Sequence, residues 1–371
     1  MVHSIGIPEP RGKPTDGPEQ SPAVRPHRLD TALLLCIACG LIVNSHLEAF
    51  WPRSFLAVDG LLGNSLFYFM SGFGIGSSLF SRPQRFGPFL ARRFVRIYPA
   101  VMITVLLFVG IVGGRAYASV NGLQPWTLYE AFHAIIWPTP FTYVRNIVAI
   151  YVIGYVVALP RSRPILYAGF ATAIGFCLYG CVRDSATLGP AAWLSLGSVP
   201  TSVYDSFDTA LFLGGMIVAG SRAVALRHFW ASGILAAGLC IAYFALKYAM
   251  IVQGIAAGLY PVLFVLVGTV SYLAIRVLSD PAIVQPLRRV RWLAWIVDLV
   301  AGLTLEIYVL HQTLISTFPG LATIQFPLNI ILLVLISVAA AALLRMVTDP
   351  LRRWADEVTR PAVTVTSAAD G

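Results

Sequence analysis

The sequence predicts an all-α integral membrane protein of about ten transmembrane helices, with both termini cytoplasmic. Three observations predict it. First, 57% of the 371 residues are hydrophobic and only 12% are charged, where an ordinary soluble domain carries about 25% charged residues. Mean hydropathy is +0.77. Second, the apolar residues gather into ten runs, most of them close to the ~20 residues that cross a hydrocarbon core. Third, the basic residues alternate in side. With the N-terminus placed inside, the inner segments hold 21 of the 26 Lys and Arg, the bias of cytoplasmic loops. The net charge of +9 therefore reports topology, and no nucleic-acid partner is expected.

Residues 1–27 hold six prolines among glycines and charges. Such a composition cannot bury a core and predicts a disordered cytoplasmic tail. It also lacks the apolar stretch that follows closely on the short basic start of a signal peptide. The predicted spans cover 31–50, 58–80, 97–114, 142–159, 164–182, 206–221, 229–247, 254–275, 293–318 and 328–348. Residues 28–349 then form one polytopic domain in the cell (inner) membrane, in contact with its lipids. The segment 206–221 is the shortest and begins beside Asp205 and Asp208. Residues 350–371 are polar and predict a mobile cytoplasmic tail. Five cysteines lie in apolar runs. The Cys36/Cys39 pair has a redox or metal spacing, but thiols inside spans pack as small apolar groups, so neither a metal nor a disulfide framework is expected.

His46 is the most informative residue, because ionisable groups in a bilayer are costly and rare. It lies some 15 residues along the first run, ~22 Å from its inner end at 1.5 Å per residue, which places it in the outer half. A neutral imidazole with an ordinary pKa near 6.5 suits general-base work on a hydroxyl. An inert, hydrogen-bonded interfacial His suits the same position. Glu48 is the nearest carboxylate, but residues two apart face away from each other on a continuous helix. Glu48 orients His46 only if the helix ends first, and Pro52 supplies an end. Asp59, Asp298 and Glu306 are further carboxylates for that role. Glu306 and His311 share one predicted span, at a depth that suggests a polar cavity with His46. The same residues suit a proton relay.

On the opposite side lies a cationic loop with Arg92, Arg93 and Arg96. Arg93 and Arg96 are three apart and share a face on a helical turn. Paired guanidiniums suit phosphate oxygens, while juxtamembrane Arg also serves topology and lipid headgroups. Ser71-Gly72-Phe73-Gly74-Ile75-Gly76 in the second run allows close helix approach or passage of a ligand chain.

Four stretches then occur in one order: Ile37-Ala38-Cys39 … Asn44-Ser45-His46; Gly63-Asn64-Ser65-Leu66-Phe67-Tyr68-Phe69-Met70-Ser71-Gly72-Phe73; Phe89-Leu90-Ala91-Arg92-Arg93-Phe94-Val95-Arg96-Ile97-Tyr98-Pro99; and Leu305-Glu306-Ile307-Tyr308-Val309-Leu310-His311. Together they resemble the acyltransferase-3 family of membrane acyltransferases, over roughly residues 28–346. The resemblance implies transfer of an acyl group, usually acetyl, from cytoplasmic acyl-coenzyme A to a hydroxyl of a glycan, lipid-linked glycan or other acceptor. It implies His46 as catalytic base, Arg93 and Arg96 as coenzyme A contacts, and Arg92 and Ser71 beside them. No permanently bound cofactor is implied. One position departs: the family's basic residue, with ten residues between it and the His, is Leu35 here. Arg28, five full turns before His46 on a continuous helix, is the nearest replacement. Two other readings stay open: a transporter or flippase using His46, Glu306 and His311, and an acyltransferase-like protein that binds without catalysing.

Overall fold

The computed structural model describes residues 30–57, 60–82, 84–111, 141–160, 162–192, 201–221, 228–252 and 259–359. Their regular secondary structure is all helical, with no strand among the described residues. The expected N-terminal tail, with Arg28, lies outside them, as does Asp59. Each of the ten predicted runs meets a helix, and the departures from prediction shape the site.

Helix α1 (Ala32–Asn44) is only 13 residues long. It stops because polar side chains compete for the backbone at its end. Ser45 Oγ donates to the Ile42 carbonyl at 2.7 Å. Asn44 Nδ2 donates to the Leu56 carbonyl at 2.9 Å, and Trp51 Nε1 donates to Asn44 Oδ1 at 2.8 Å. The chain turns there, so His46 sits in a turn and not, as expected, inside a helix.

Helix α2 (Gly60–Ser81) spans 22 residues. Helix α3 (Phe86–Ile111) starts well before the predicted 97. Phe89, Ile97, Ala100 and Val101 are all buried and give the helical period a core-facing stripe. Arg92, Arg93 and Arg96 are therefore on a helix and not in a loop.

Helices α4 (Thr142–Ala158), α5 (Arg163–Ala192) and α6 (Thr201–Gly220) follow. Helix α6, the shortest predicted run, packs backbone to backbone on α2. A Cβ on Gly72 would stand 1.8 Å from the Phe212 carbonyl oxygen, and one on Gly215 would stand 2.0 Å from the Phe69 carbonyl oxygen. The glycines in Ser71–Gly76 thus serve close helix approach. Gly72→Val must push α6 away, and overpacking of this kind costs about 1–3 kcal/mol or more. The expected result is a clear drop in thermal midpoint in detergent. An unchanged midpoint would contradict the contact.

Helices α7 (Phe229–Val252) and α8 (Tyr260–Leu278) lead to a short α9 (Pro281–Arg289), capped by Asp280, whose carboxylate accepts from Ala282 N at 2.9 Å. The predicted span 293–318 is two helices, α10 (Arg291–Gly302) and α11 (Thr304–Thr317), bent by 75°. Helix α10 is amphipathic: Trp292 and Trp295 are exposed and Val297 is buried. Arg288 ties this elbow to the start of α1, bonding Asp30 at 2.6 Å and also Asp298. The hydrogen bonds it donates to Asp298 and Asp30 hold its pKa above the ordinary guanidinium value.

Helix α12 (Leu328–Thr359) runs past Pro350, where a mobile tail was expected. Its last turns are pinned. Arg345 pairs with Asp349 at 2.7 Å, Arg352 pairs with Glu306 at 2.6 Å, and Ala355 is buried. By length and apolarity α5, α7, α8 and α12 qualify as membrane spans, and the bent pair α10–α11 is a fifth if counted as one.

Candidate active site

His46 and His311 come together. Their ring centroids are 5.0 Å apart. His46 is exposed in the turn after α1, whereas His311 on α11 is 3% exposed. His311 Nδ1 lies 2.7 Å from the Tyr308 carbonyl oxygen and 3.2 Å from that of Ile307. Carbonyls only accept, so Nδ1 carries the hydrogen and Nε2 keeps a lone pair. Nε2 has no hydrogen-bond partner among the described residues.

The carboxylates behave otherwise than expected. Glu48 is exposed and lines the same cavity as His46, but no hydrogen bond joins the two. Asp298 is held by Arg288. Glu306 does not share a depth and face with His311. It is fully buried against α12, where Arg352 Nη2 donates to it. The reason is helical periodicity: both residues lie on α11, and five residues of helix rotate His311 about 140° from Glu306.

Three cavities line up along α2. The histidine cavity, about 1130 Å³, takes in Gly60, Leu61 and Asn64 from the start of α2, with His46, Glu48 and His311. The central cavity, about 1360 Å³, takes in Ser71, Gly74 and Ser78 further along α2, with Arg93 and Arg96. The arginine cleft, about 1350 Å³, shares Ser78, Arg82, Gln84, Arg93 and Arg96 with the central cavity. Eight arginines line it, against Asp349 and Asp356. Gly60 and Ser78 are ~27 Å apart along the helix, so the histidine pair and the arginines stand at opposite ends.

Tyr143 and Tyr308 line both the histidine and the central cavity. They form the wall between them. Tyr143 Oη is 2.8 Å from Ser71 Oγ, the Tyr143 backbone N–H donates to Tyr308 Oη at 3.1 Å, and the two rings lie 5.5 Å apart. Ser71 therefore anchors the wall.

The arginines are individually oriented. Arg93 lies over the Phe89 and Tyr151 rings at 5.6 and 5.9 Å. Arg92 bonds Gln84 Oε1, and Gln84 in turn donates to Ser78 Oγ at 2.6 Å. The Arg96 carbonyl accepts from Arg352 Nη2 at 3.0 Å. Arg93 and Arg96 face the same two spaces, as their spacing of three predicts.

These elements match a known pattern. A family model described as an acyltransferase domain matches residues 33–346. The chain belongs to the acyltransferase-3 family. In general terms it is a membrane acyltransferase. No curated protein and no solved structure matches it. The four stretches that carry the family resemblance meet around the cavities. The first brings His46, the second Ser71, the third the arginines, and the fourth Tyr308 and His311.

Leu35, where the family has a basic residue, lines the central cavity. Arg276 from the last turn of α8 lines that cavity too and brings a cation that the sequence reading counted only as topology. Also missed was a cluster on α4 and α6. Asn146 Nδ2 donates to Asp205 Oδ1 at 2.6 Å and to Asp208 Oδ2 at 3.4 Å. The two Asp were visible only as a weakness in the apolar run 206–221. All five cysteines are free thiols.

Proposed function

We propose that the chain is an O-acyltransferase. It moves an acyl group, acetyl by default, from acyl-coenzyme A to a hydroxyl of an envelope polysaccharide, glycolipid or related acceptor. The observation that carries this reading is the wall of Tyr143 and Tyr308, with a cationic space on one side and a histidine pair on the other.

The anionic end of coenzyme A lies at Arg92, Arg93 and Arg96, where guanidinium forks meet phosphate oxygens. Its acyl end reaches past Ser71 to the wall. The acceptor hydroxyl enters from the histidine cavity. His46 takes the hydroxyl proton as the oxygen attacks the thioester carbonyl. The tetrahedral intermediate collapses, the C–S bond breaks, and the coenzyme A thiolate leaves toward the arginines and takes up a proton. The Glu48 charge in the same cavity favours the imidazolium that forms on His46. In the topology expected from the charge bias of the sequence, with both termini cytoplasmic, the arginines face the cytoplasm, where acyl-coenzyme A is present.

A relay of His46, Glu306 and His311 is not assembled, since Glu306 is engaged by Arg352. That removes the observation behind a transporter reading. The test is mass analysis of envelope glycans and lipids from cells with and without the intact protein, alongside acetyl-coenzyme A turnover by the purified chain. One component is expected to be heavier by one acyl group. No mass difference together with no turnover would sink the reading. Thermal protection by coenzyme A without turnover would support a binding protein instead.

A further inference from the structure

We infer that Asn146, Asp205 and Asp208 form the acceptor subsite, and that it takes a neutral sugar ring presenting adjacent hydroxyls. The inference rests on the acyltransferase reading and names the acceptor class for it.

The three residues line the same cavity as His46. Their orientations are set from outside it. Arg145 Nε donates to Asn146 Oδ1 at 3.2 Å, which fixes the amide with its NH₂ group toward the two carboxylates. That single amide bridges Asp205 and Asp208. Tyr68 also hydrogen-bonds Asp208, but each carboxylate has two oxygens and about four lone-pair sites, so accepting sites remain on both. Asp208 is 7% exposed, on a helix packed backbone to backbone against α2. A carboxylate in such a place is costly to keep.

Further groups in the cavity point the same way. His311 is 3% exposed, and its Nε2, which carries a lone pair, has no partner among the described residues. Asn64 Oδ1 is buried and likewise without a partner. Both residues line the cavity. The unpartnered buried polar atoms of the described cavity lining, His311 Nε2 and Asn64 Oδ1, are both acceptors. Buried acceptors without donors are unfavourable by about 1–3 kcal/mol each. A ligand rich in hydroxyl donors supplies what they lack, and an anionic ligand would face Glu48, Asp205 and Asp208 against Lys247. Tyr204 and Phe244 add apolar faces suited to the C–H face of a sugar ring. The volume of about 1130 Å³ is ample for one.

The test compares two probe acceptors of equal ring size, methyl glucoside and cyclohexanol, with acetyl-coenzyme A and the full chain in proteoliposomes. Ester is read by mass spectrometry and coenzyme A release by thiol titration. The wild-type chain is expected to esterify methyl glucoside with the higher kcat/KM. Asp205→Asn and Asn146→Ala are expected to raise the KM for methyl glucoside by about 10–100-fold, one charged hydrogen bond's worth, while the KM for acetyl-coenzyme A is retained. Thermal melts establish that both variants are folded, and Asp205, being half-buried, is the safer of the two. An unchanged glucoside KM in both variants overturns the subsite. So does esterification of cyclohexanol on a par with the glucoside, or coenzyme A release with no sugar ester. Absence of coenzyme A release from the wild-type chain with every acceptor overturns the acyltransferase reading itself.

Discussion

His46→Ala lowers acyl transfer by about 10²–10⁴-fold, the usual worth of a positioned general base, and leaves folding and membrane insertion intact. The two halves of this expectation have separate grounds. His46 is exposed in the turn after α1, so removing its ring opens no core. The turn itself is held by Asn44, Ser45 and Trp51, which the substitution leaves in place. Chemistry loses more, because no described carboxylate hydrogen-bonds to the ring and can take over its task. His311, 5.0 Å away by ring centroid, keeps its Nδ1 on backbone carbonyls and stays buried. The measurement is ester formation under saturating donor, with the thermal midpoint as control. Full activity in a folded His46→Ala variant sinks the mechanism.

The second large effect belongs to the donor end. Arg93→Ala combined with Arg96→Ala is expected to raise the KM for acetyl-coenzyme A by about 10²–10⁴-fold, since each hydrogen bond to a charged group is worth about 1.5–3 kcal/mol. Both side chains line the central cavity and the arginine cleft, so together they cover the passage from one to the other. The loss should be smaller at high salt, where the wild-type contact is itself screened. Lysine should not restore Arg93, because an ammonium lacks the planar fork and its stacking over Phe89 and Tyr151. Steady-state kinetics at two ionic strengths checks the expectation. A donor KM that stays at the wild-type value in the double variant removes the arginines from coenzyme A binding.

Periodicity made much of this legible. The spacing of Arg93 and Arg96 put them on one face, and the depths of His46 and His311 placed them together. Apolar runs located every helix except the short α9, because a run long enough for a bilayer leaves few alternatives. What escaped were events between helices and at helix ends. Asn44 and Ser45 end α1 through hydrogen bonds that a hydrophobicity count does not register. The 75° bend at Leu303 falls inside an unbroken apolar run, and the five-residue spacing that turns Glu306 away from His311 on one helix escapes a grouping by depth alone. Asp205 and Asp208 counted against α6 as a span, and their partner Asn146 is 59 and 62 residues away in sequence. Tyr143 and Tyr308 read as ordinary aromatic residues until two helices set them side by side.

That pair of rings has an electrical consequence. A bilayer insulates because ~30 Å of hydrocarbon separates its two aqueous phases. In the proposed orientation the two cavities open to opposite sides, so where they meet the insulating layer thins to the thickness of Tyr143 and Tyr308. The membrane potential then falls mostly across those rings, and each unit charge carried through them exchanges about 2.3 kcal/mol per 100 mV with the field. An acyl group is neutral and crosses with no such work. The ion-bearing part of the donor stays behind at the arginines, on one side of the voltage drop. Under the proposed chemistry the hydroxyl proton stays on His46 while the thiolate takes up a proton at the arginines, so each turnover displaces one unit charge across those rings unless the His46 proton passes inward to the thiolate.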